Sequence, residues 1–123
     1  MKHSRPSLQR GEIWDAQFPL EDVQGSEPYG HGPVVIVSSD AFNRSAIRTV
    51  IVAVITSNLK LERAPGNFLL LADDTSGLQH GSVVNVSQVL VVNKTQLIEQ
   101  RGKLDELGFE LLGLGLRQMF DLL

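Results

Sequence analysis

The run "IRTVIVAVITS", residues 47–57, constrains the fold more than any other stretch. It is dominated by β-branched residues, which suit a pleated, half-buried surface and lose side-chain freedom in a helix. "PVVIVSS" before it and "SVVNVSQVLVV" after it repeat the signal. In the second of these the apolar phase slips near Ser87–Gln88, which predicts a β-bulge. "RGEIWDAQF" alternates as a half-buried strand, with polar Asp15 out of phase with Trp14, Ala16 and Phe18. "FLLLA" reads as a short strand, and "QLIEQRGKL" as an edge strand protected by its charges.

From Asp105 the period changes to a helical one. Leu107, Leu111, Leu114 and Gln118 mark one stripe, and Leu104, Leu112, Leu116, Met119 and Phe120 widen the apolar face. Gly108, Gly113 and Gly115 each cost about 1 kcal/mol against alanine in a helix, so this one must be stabilised by packing. Small residues also permit close approach, a second subunit being one candidate. The expected fold is mainly β: five to seven short, mostly antiparallel strands forming a small, strongly bent barrel with one C-terminal helix packed on it.

The punctuation is equally specific. Residues 1–9 read as a flexible tail and residues 10–123 as a single domain. Residues 19–32 read as one long loop, a length that is usually functional. "DAFNRSAIR" predicts one helical turn with Ser39 or Asp40 as N-cap. "NLKLERAPGN" reads as a second polar loop, carrying Lys60 and Arg63, and "DDTSG" as a turn.

Composition narrows the function classes. The formal net charge is −3, and residues 64–123 carry all of it, with four Lys/Arg against seven Asp/Glu. An acidic chain argues against generic nucleic-acid binding, which depends on many cationic contacts to phosphate. Any nucleic-acid site must be local, and the neutral N-terminal half is the better place for it. There is no cysteine, hence no disulfide and no thiolate metal site. The polar start "MKHSRPSLQR" and the absence of a long apolar run make the cytoplasm the default, with no membrane partner.

Candidate chemistry gathers at two places. Glu27 and His31 share the loop "GSEPYGHGPVV", where they are either an acid–base pair or a solvated acid and histidine. Thr56, Ser57 and Asn58 stand where the strongest strand opens into a loop, as ligand contacts or as turn residues. Trp14 either stacks on a base or joins the core, and Gln88 either contacts a ligand or satisfies the barrel rim. No phosphate-binding glycine loop, nucleophile elbow or metal-ligand spacing of His3, His31 and His80 is present, so neither cofactor nor metal is expected.

The ordered set "RGEIW", "GSEPYGHGP", "VVIVSSDAFN", "VIVAVITSNL" and "GSVVNVSQVLVV" closely resembles the MazF/PemK toxin family. The likeness runs from about Arg10 to the C-terminal helix. It implies an SH3-like barrel, a homodimer, and a metal-independent endoribonuclease that cuts single-stranded RNA at a short sequence. It also implies a cognate MazE-like antitoxin that wraps over the RNA site. The implied reaction leaves a 2′,3′-cyclic phosphate and a 5′-OH. On that resemblance Thr56, Glu27 and His31 carry catalytic or supporting roles, and Ser57, Asn58, Lys60, Gln88 and Trp14 contact RNA. The same barrel occurs in CcdB-like toxins, which bind DNA gyrase and cut nothing; that is the alternative reading.

One position departs from the pattern. The resemblance calls for "GHRP", and this chain reads "GHGP", with Gly32 in the place of the arginine. Glycine offers no bidentate phosphate contact and no proton. The site therefore reads as one that lacks its principal cation, with cleavage impaired. The alternatives are a homologue that binds RNA or antitoxin without cutting, or a replacement charge from Lys60, Arg63 or Arg44.

Overall fold

A computed structural model describes residues 8–19 and 29–122. The elements in order are β1 (Glu12–Pro19), β2 (Tyr29–Ile36), α1 (Asp40–Arg44), β3 (Thr49–Thr56), β4 (Phe68–Leu70), β5 (Ser82–Asn93), β6 (Leu97–Lys103) and α2 (Glu106–Phe120). The six strands form one antiparallel sheet in the order β4-β5-β3-β2-β1-β6, curled into a half-barrel whose edges are β4 and β6. Its mainly β class, its bulge and its charged edge strand β6 agree with the sequence reading.

The central strands are buried on both faces, and alternation sorts their residues into two clusters. Val35, Ala53, Ile55, Val84 and Val86 pack with Leu104 and Leu112 under α2. Val34, Ile36, Val50, Val52, Val92 and Ala16 form the opposite cluster, against which Leu8 and Trp14 rest. Leu8 is therefore part of the packed structure, although it falls within the expected tail; residues 1–7 lie outside the described residues.

Four expectations are corrected. The loop expected over residues 19–32 is shorter, because Tyr29–Gly32 already belong to β2 and pair with Pro19–Ala16 of β1. That pairing is set by the partner strand and leaves no apolar pattern to read. "LKLER" is not open loop but a 3-10 turn, Leu59–Arg63, and Lys94–Gln96 form another. On α2 the buried positions are Gly108, Leu112 and Gly115, while Leu107 and Leu114 are exposed. The expected stripe is rotated: Leu112, with Leu111 and Leu116 beside it, packs on the core together with Gly108 and Gly115, which carry no hydropathy signal. Finally, the close approach that Gly115 permits is within the chain: a Cβ there would lie 2.3 Å from the carbonyl oxygen of Gly66.

Local signals set the helix ends. Ser39 accepts the N–H of Phe42 at 3.2 Å and caps α1. Asp105 accepts the N–H of Gly108 at 2.8 Å and caps α2. Both relieve N–H groups that the first helical turn leaves unpaired.

Candidate active site

The site begins where β2 and β3 part. Their ladder runs from Ile36↔Val52 to Val34↔Val54 and goes no further, while β2 continues to pair with β1 as far as Tyr29. Carrying the same register onward brings Gly32 opposite Thr56, across a fork with no ladder in it. Residues opposite one another in an antiparallel pair share a face, and successive residues alternate. Gly32, Ala16, Val34, Val54 and Thr56 therefore lie on the face away from α2. Gly32 has strand conformation, which any residue adopts, and an arginine at this position would project onto the face of Thr56.

Thr56 is the last residue of β3 and half-buried. Its Oγ1 accepts the backbone N–H of Asn58 at 3.1 Å. Among the described residues no acceptor takes the hydroxyl proton, so the hydroxyl keeps a donor for a ligand. Asn58 Oδ1 accepts the N–H of Lys60 at 3.2 Å and caps the 3-10 turn. The exposed residues Ser57, Asn58 and Lys60 thus follow Thr56 in a turn with fixed geometry, with exposed Arg63 at its end.

The other candidates separate. His31 is exposed and pairs with Gln17, one residue from Gly32 and therefore on the opposite face. Glu27 lies outside the described residues. Trp14 shares the face of Gly32; partly buried, it packs on the second cluster, and its indole N–H donates to Glu12 at 2.9 Å. Arg44 lies in α1, at the far end of the β2–β3 pair. It is removed as a replacement cation, since the seven-residue rise of β3 from Thr49 to Thr56 spans roughly 23 Å. Lys60 and Arg63 remain.

A polar network that sequence reasoning missed stands beside the fork. Between Ala53↔Val89 and Val54↔Asn85 the β3–β5 register skips Val86, Ser87 and Gln88, the predicted bulge. Asn85, 5% exposed, fills the bend. Its Oδ1 accepts the N–H of Ser87 at 3.2 Å and the Ser87 hydroxyl at 2.6 Å, and its Nδ2 donates to Gln88 Oε1 at 3.2 Å. Asn67 donates to Asn85 Oδ1 at 3.1 Å and to the carbonyl of Leu61 at 2.9 Å, and accepts the N–H of Val86 at 2.9 Å. The readable signal was Asn85 itself, an amide inside "SVVNV", where a buried polar group must find partners.

No group of three or more His, Asp or Glu that could hold a metal occurs among the described residues, and no described helix is long and apolar enough to cross a membrane.

Residues 9–120 match the family described as PemK-like, MazF-like toxin of type II toxin-antitoxin system. Endoribonuclease MazF6 of Mycobacterium tuberculosis is 40% identical over 115 residues, covering 94% of this chain and 98% of the relative. Endoribonuclease EndoA of Bacillus subtilis is 30% identical over 99 residues, covering 80% and 82%. Among solved structures, an endoribonuclease from a mycobacterial species in complex with its cognate antitoxin superposes with a TM-score of 0.73 at 21% identity, covering 94% of this chain and 97% of that one. A MazE–MazF structure from Deinococcus radiodurans gives 0.74 at 18% identity, covering 95% and 98%. These two share the fold, and the matched residues together with the curated relatives place the chain in the PemK-like, MazF-like toxin family of type II toxin–antitoxin systems.

Proposed function

We propose that the chain is the endoribonuclease toxin of a toxin–antitoxin pair, built for metal-independent cleavage of single-stranded RNA and impaired by Gly32. The observation that carries this reading is the fork: a threonine hydroxyl with its proton free faces a strand position where one arginine would complete a phosphate site. In the reaction a ribose 2′-hydroxyl loses its proton and its oxygen bonds to the adjacent phosphorus. The bond from phosphorus to the 5′-oxygen breaks, and that oxygen is protonated. The products are a 2′,3′-cyclic phosphate and a 5′-hydroxyl. Because the nucleophile belongs to the substrate, the protein's task is proton transfer and stabilisation of charge on the phosphoryl oxygens. Thr56 serves the second task as a donor; Glu27 and His31 are assigned to the first. Ser57, Asn58, Lys60 and Gln88 contact the RNA strand. Trp14 supports the floor of the site by packing.

The same reading places the chain in the cytoplasm, as a homodimer, held inactive by a MazE-like antitoxin over the fork. Exposed Leu107, Leu114 and Phe120 on α2 supply apolar surface for association.

The test is cleavage of a long single-stranded RNA in EDTA by this chain and by its Gly32→Arg variant. The arginine variant is expected to cut about 10²–10³-fold faster, the usual value of one transition-state donor, and to leave cyclic-phosphate ends. Equal rates would overturn the role assigned to position 32 and move attention to Lys60 and Arg63. No cleavage by either would overturn the nuclease reading.

A further inference from the structure

The network beside the fork has fixed polarity. An amide side chain can be turned end for end, and only obligate donors or acceptors settle which end is which. The backbone supplies them here. Val86 N–H can only donate, so Asn67 must offer it oxygen; Leu61 C=O can only accept, so Asn67 must offer it nitrogen. Ser87 N–H likewise demands the oxygen of Asn85. That leaves Asn85 Nδ2 facing Gln88, and Gln88 must answer with Oε1. The oxygen of this exposed glutamine is therefore turned inward. Its NH₂ group, two donors, has no partner among the described residues, and the residue is exposed. Reversing it would oppose two nitrogens and leave Asn85, nearly fully buried, without an acceptor.

The position of this donor matters. Asn85 is opposite Val54 in the ladder, two residues before Thr56 and on the same sheet face. Through Asn67 the network also holds Leu61, in the turn that carries Lys60 and Arg63. Gln88 and the Thr56 turn are thus two arms of one polar framework.

We propose that Gln88 is a specificity-determining residue that donates to a keto oxygen of an unpaired base, and that Asn85 is the positioning residue that fixes this polarity. The inference rests on the single-stranded RNA reading above. Guanine and uracil carry O6 and O4 where adenine and cytosine carry amino groups. A fixed NH₂ group accepts the first pair and repels the second, so one position of the bound RNA is read as keto against amino.

Two substitutions separate the parts. Asn85→Asp keeps the acceptor that Ser87 and Asn67 use but cannot donate to Gln88. The glutamine then turns over to donate inward and presents its oxygen. Gln88→Glu is an exposed change that removes the outward donors without touching the framework. Each protein is incubated in EDTA with a random-sequence single-stranded RNA pool, and the retained RNA is sequenced. In parallel, hydrogen exchange of the Gln88 and Asn85 side-chain amides is followed by NMR without RNA.

The parent chain is expected to enrich guanine or uracil at one position by about tenfold, the value of one well-placed hydrogen bond. Asn85→Asp should shift that position to adenine or cytosine, and Gln88→Glu should abolish the keto preference. The Gln88 amide should exchange fast in the parent and slowly in Asn85→Asp. Retained RNA whose base preference is the same in all three proteins overturns the inference alone. A Gln88 amide that is already protected in the parent also overturns it, whatever the RNA result. If the amides behave as expected and no protein retains RNA, the assignment of Gln88 to RNA fails and only the fixed amide polarity stands; the nuclease reading is decided separately by cleavage with the Gly32→Arg variant.

Discussion

The two ends of the β2–β3 pair are built from the same kind of residue and finished in opposite ways. At the α1 end the strand groups are met by further hydrogen bonds. Val37 N–H donates to Ile51 C=O at 2.9 Å, Ser38 Oγ accepts Ile51 N–H at 3.1 Å, and buried Asn43 donates to Ser38 C=O at 3.0 Å. Lys94 then reaches over from the end of β5 and donates to the carbonyls of Asn43 and Ser45 at 2.8 and 3.2 Å, satisfying the C-terminal end of α1. At the Thr56 end the ladder simply stops, and the polar side chains that follow are exposed. The first end has its polar groups engaged within the protein, and the second leaves polar side chains available to a ligand. A binding site needs hydrogen-bonding groups still available to a ligand, and a closed strand end has spent its own.

The sharpest way to break this division is at Thr56. In the Gly32→Arg background, Thr56→Val keeps the shape and removes the hydroxyl. Cleavage should fall about 10²–10³-fold, as for other lost transition-state donors. Stability should change by less than about 0.5 kcal/mol, because the exposed Asn58 N–H that it frees is reached by water. Cleavage rates and urea melts of the pair measure both. A large loss of stability with cleavage retained would reverse the assignment of the two ends.

The complementary change is Asn43→Ala at the closed end. Asn43 is 3% exposed, and its loss removes the donor to the Ser38 carbonyl and the acceptor of the Ser38 hydroxyl proton. The expected cost is about 2 kcal/mol, the penalty of buried groups left unpaired, read as a lower urea midpoint at unchanged slope. Cleavage by the folded Gly32→Arg protein carrying this change should match its parent. If the rate falls along with the stability, the two ends are coupled and the division is false.

The same contrast decides how much could be read from the chain. β3 and the Ser39 cap were legible because their causes are local: a β-branched run, and a hydroxyl three residues before the N–H it accepts. The bulge was legible because Ser87–Gln88 breaks an apolar phase. The fork was not. Gly32 comes opposite Thr56 only by extending the register of β2 on β3, and nothing near either residue announces it. The strand character of Tyr29–Gly32 comes from β1, and two of the three buried positions of α2 are glycines that carry no hydropathy signal. The Asn67–Asn85 bridge joins residues eighteen apart. Arg44 looked available in sequence and is excluded by the length of a strand. Residue types were thus readable as chemistry, while which of them meet was decided by long-range pairing.

The smallest expected effect sharpens the comparison from the open side. Lys60 is exposed in the turn after Thr56, and its backbone N–H already caps onto Asn58. Its side chain has no partner among the described residues. Lys60→Ala should therefore leave stability within about 0.5 kcal/mol of the parent, since alanine is at least as good in a short helical turn. If Lys60 neutralises one phosphate, its loss removes one counterion released on binding. The slope of log affinity against log salt for a single-stranded RNA should then become shallower by about 0.7. Lys94→Ala provides the contrast: its ammonium is engaged with two carbonyls at the closed end, so the slope should not change while stability drops. An unchanged slope in Lys60→Ala would place the RNA strand elsewhere on the fork and return Arg63 to consideration as the cation beside Thr56.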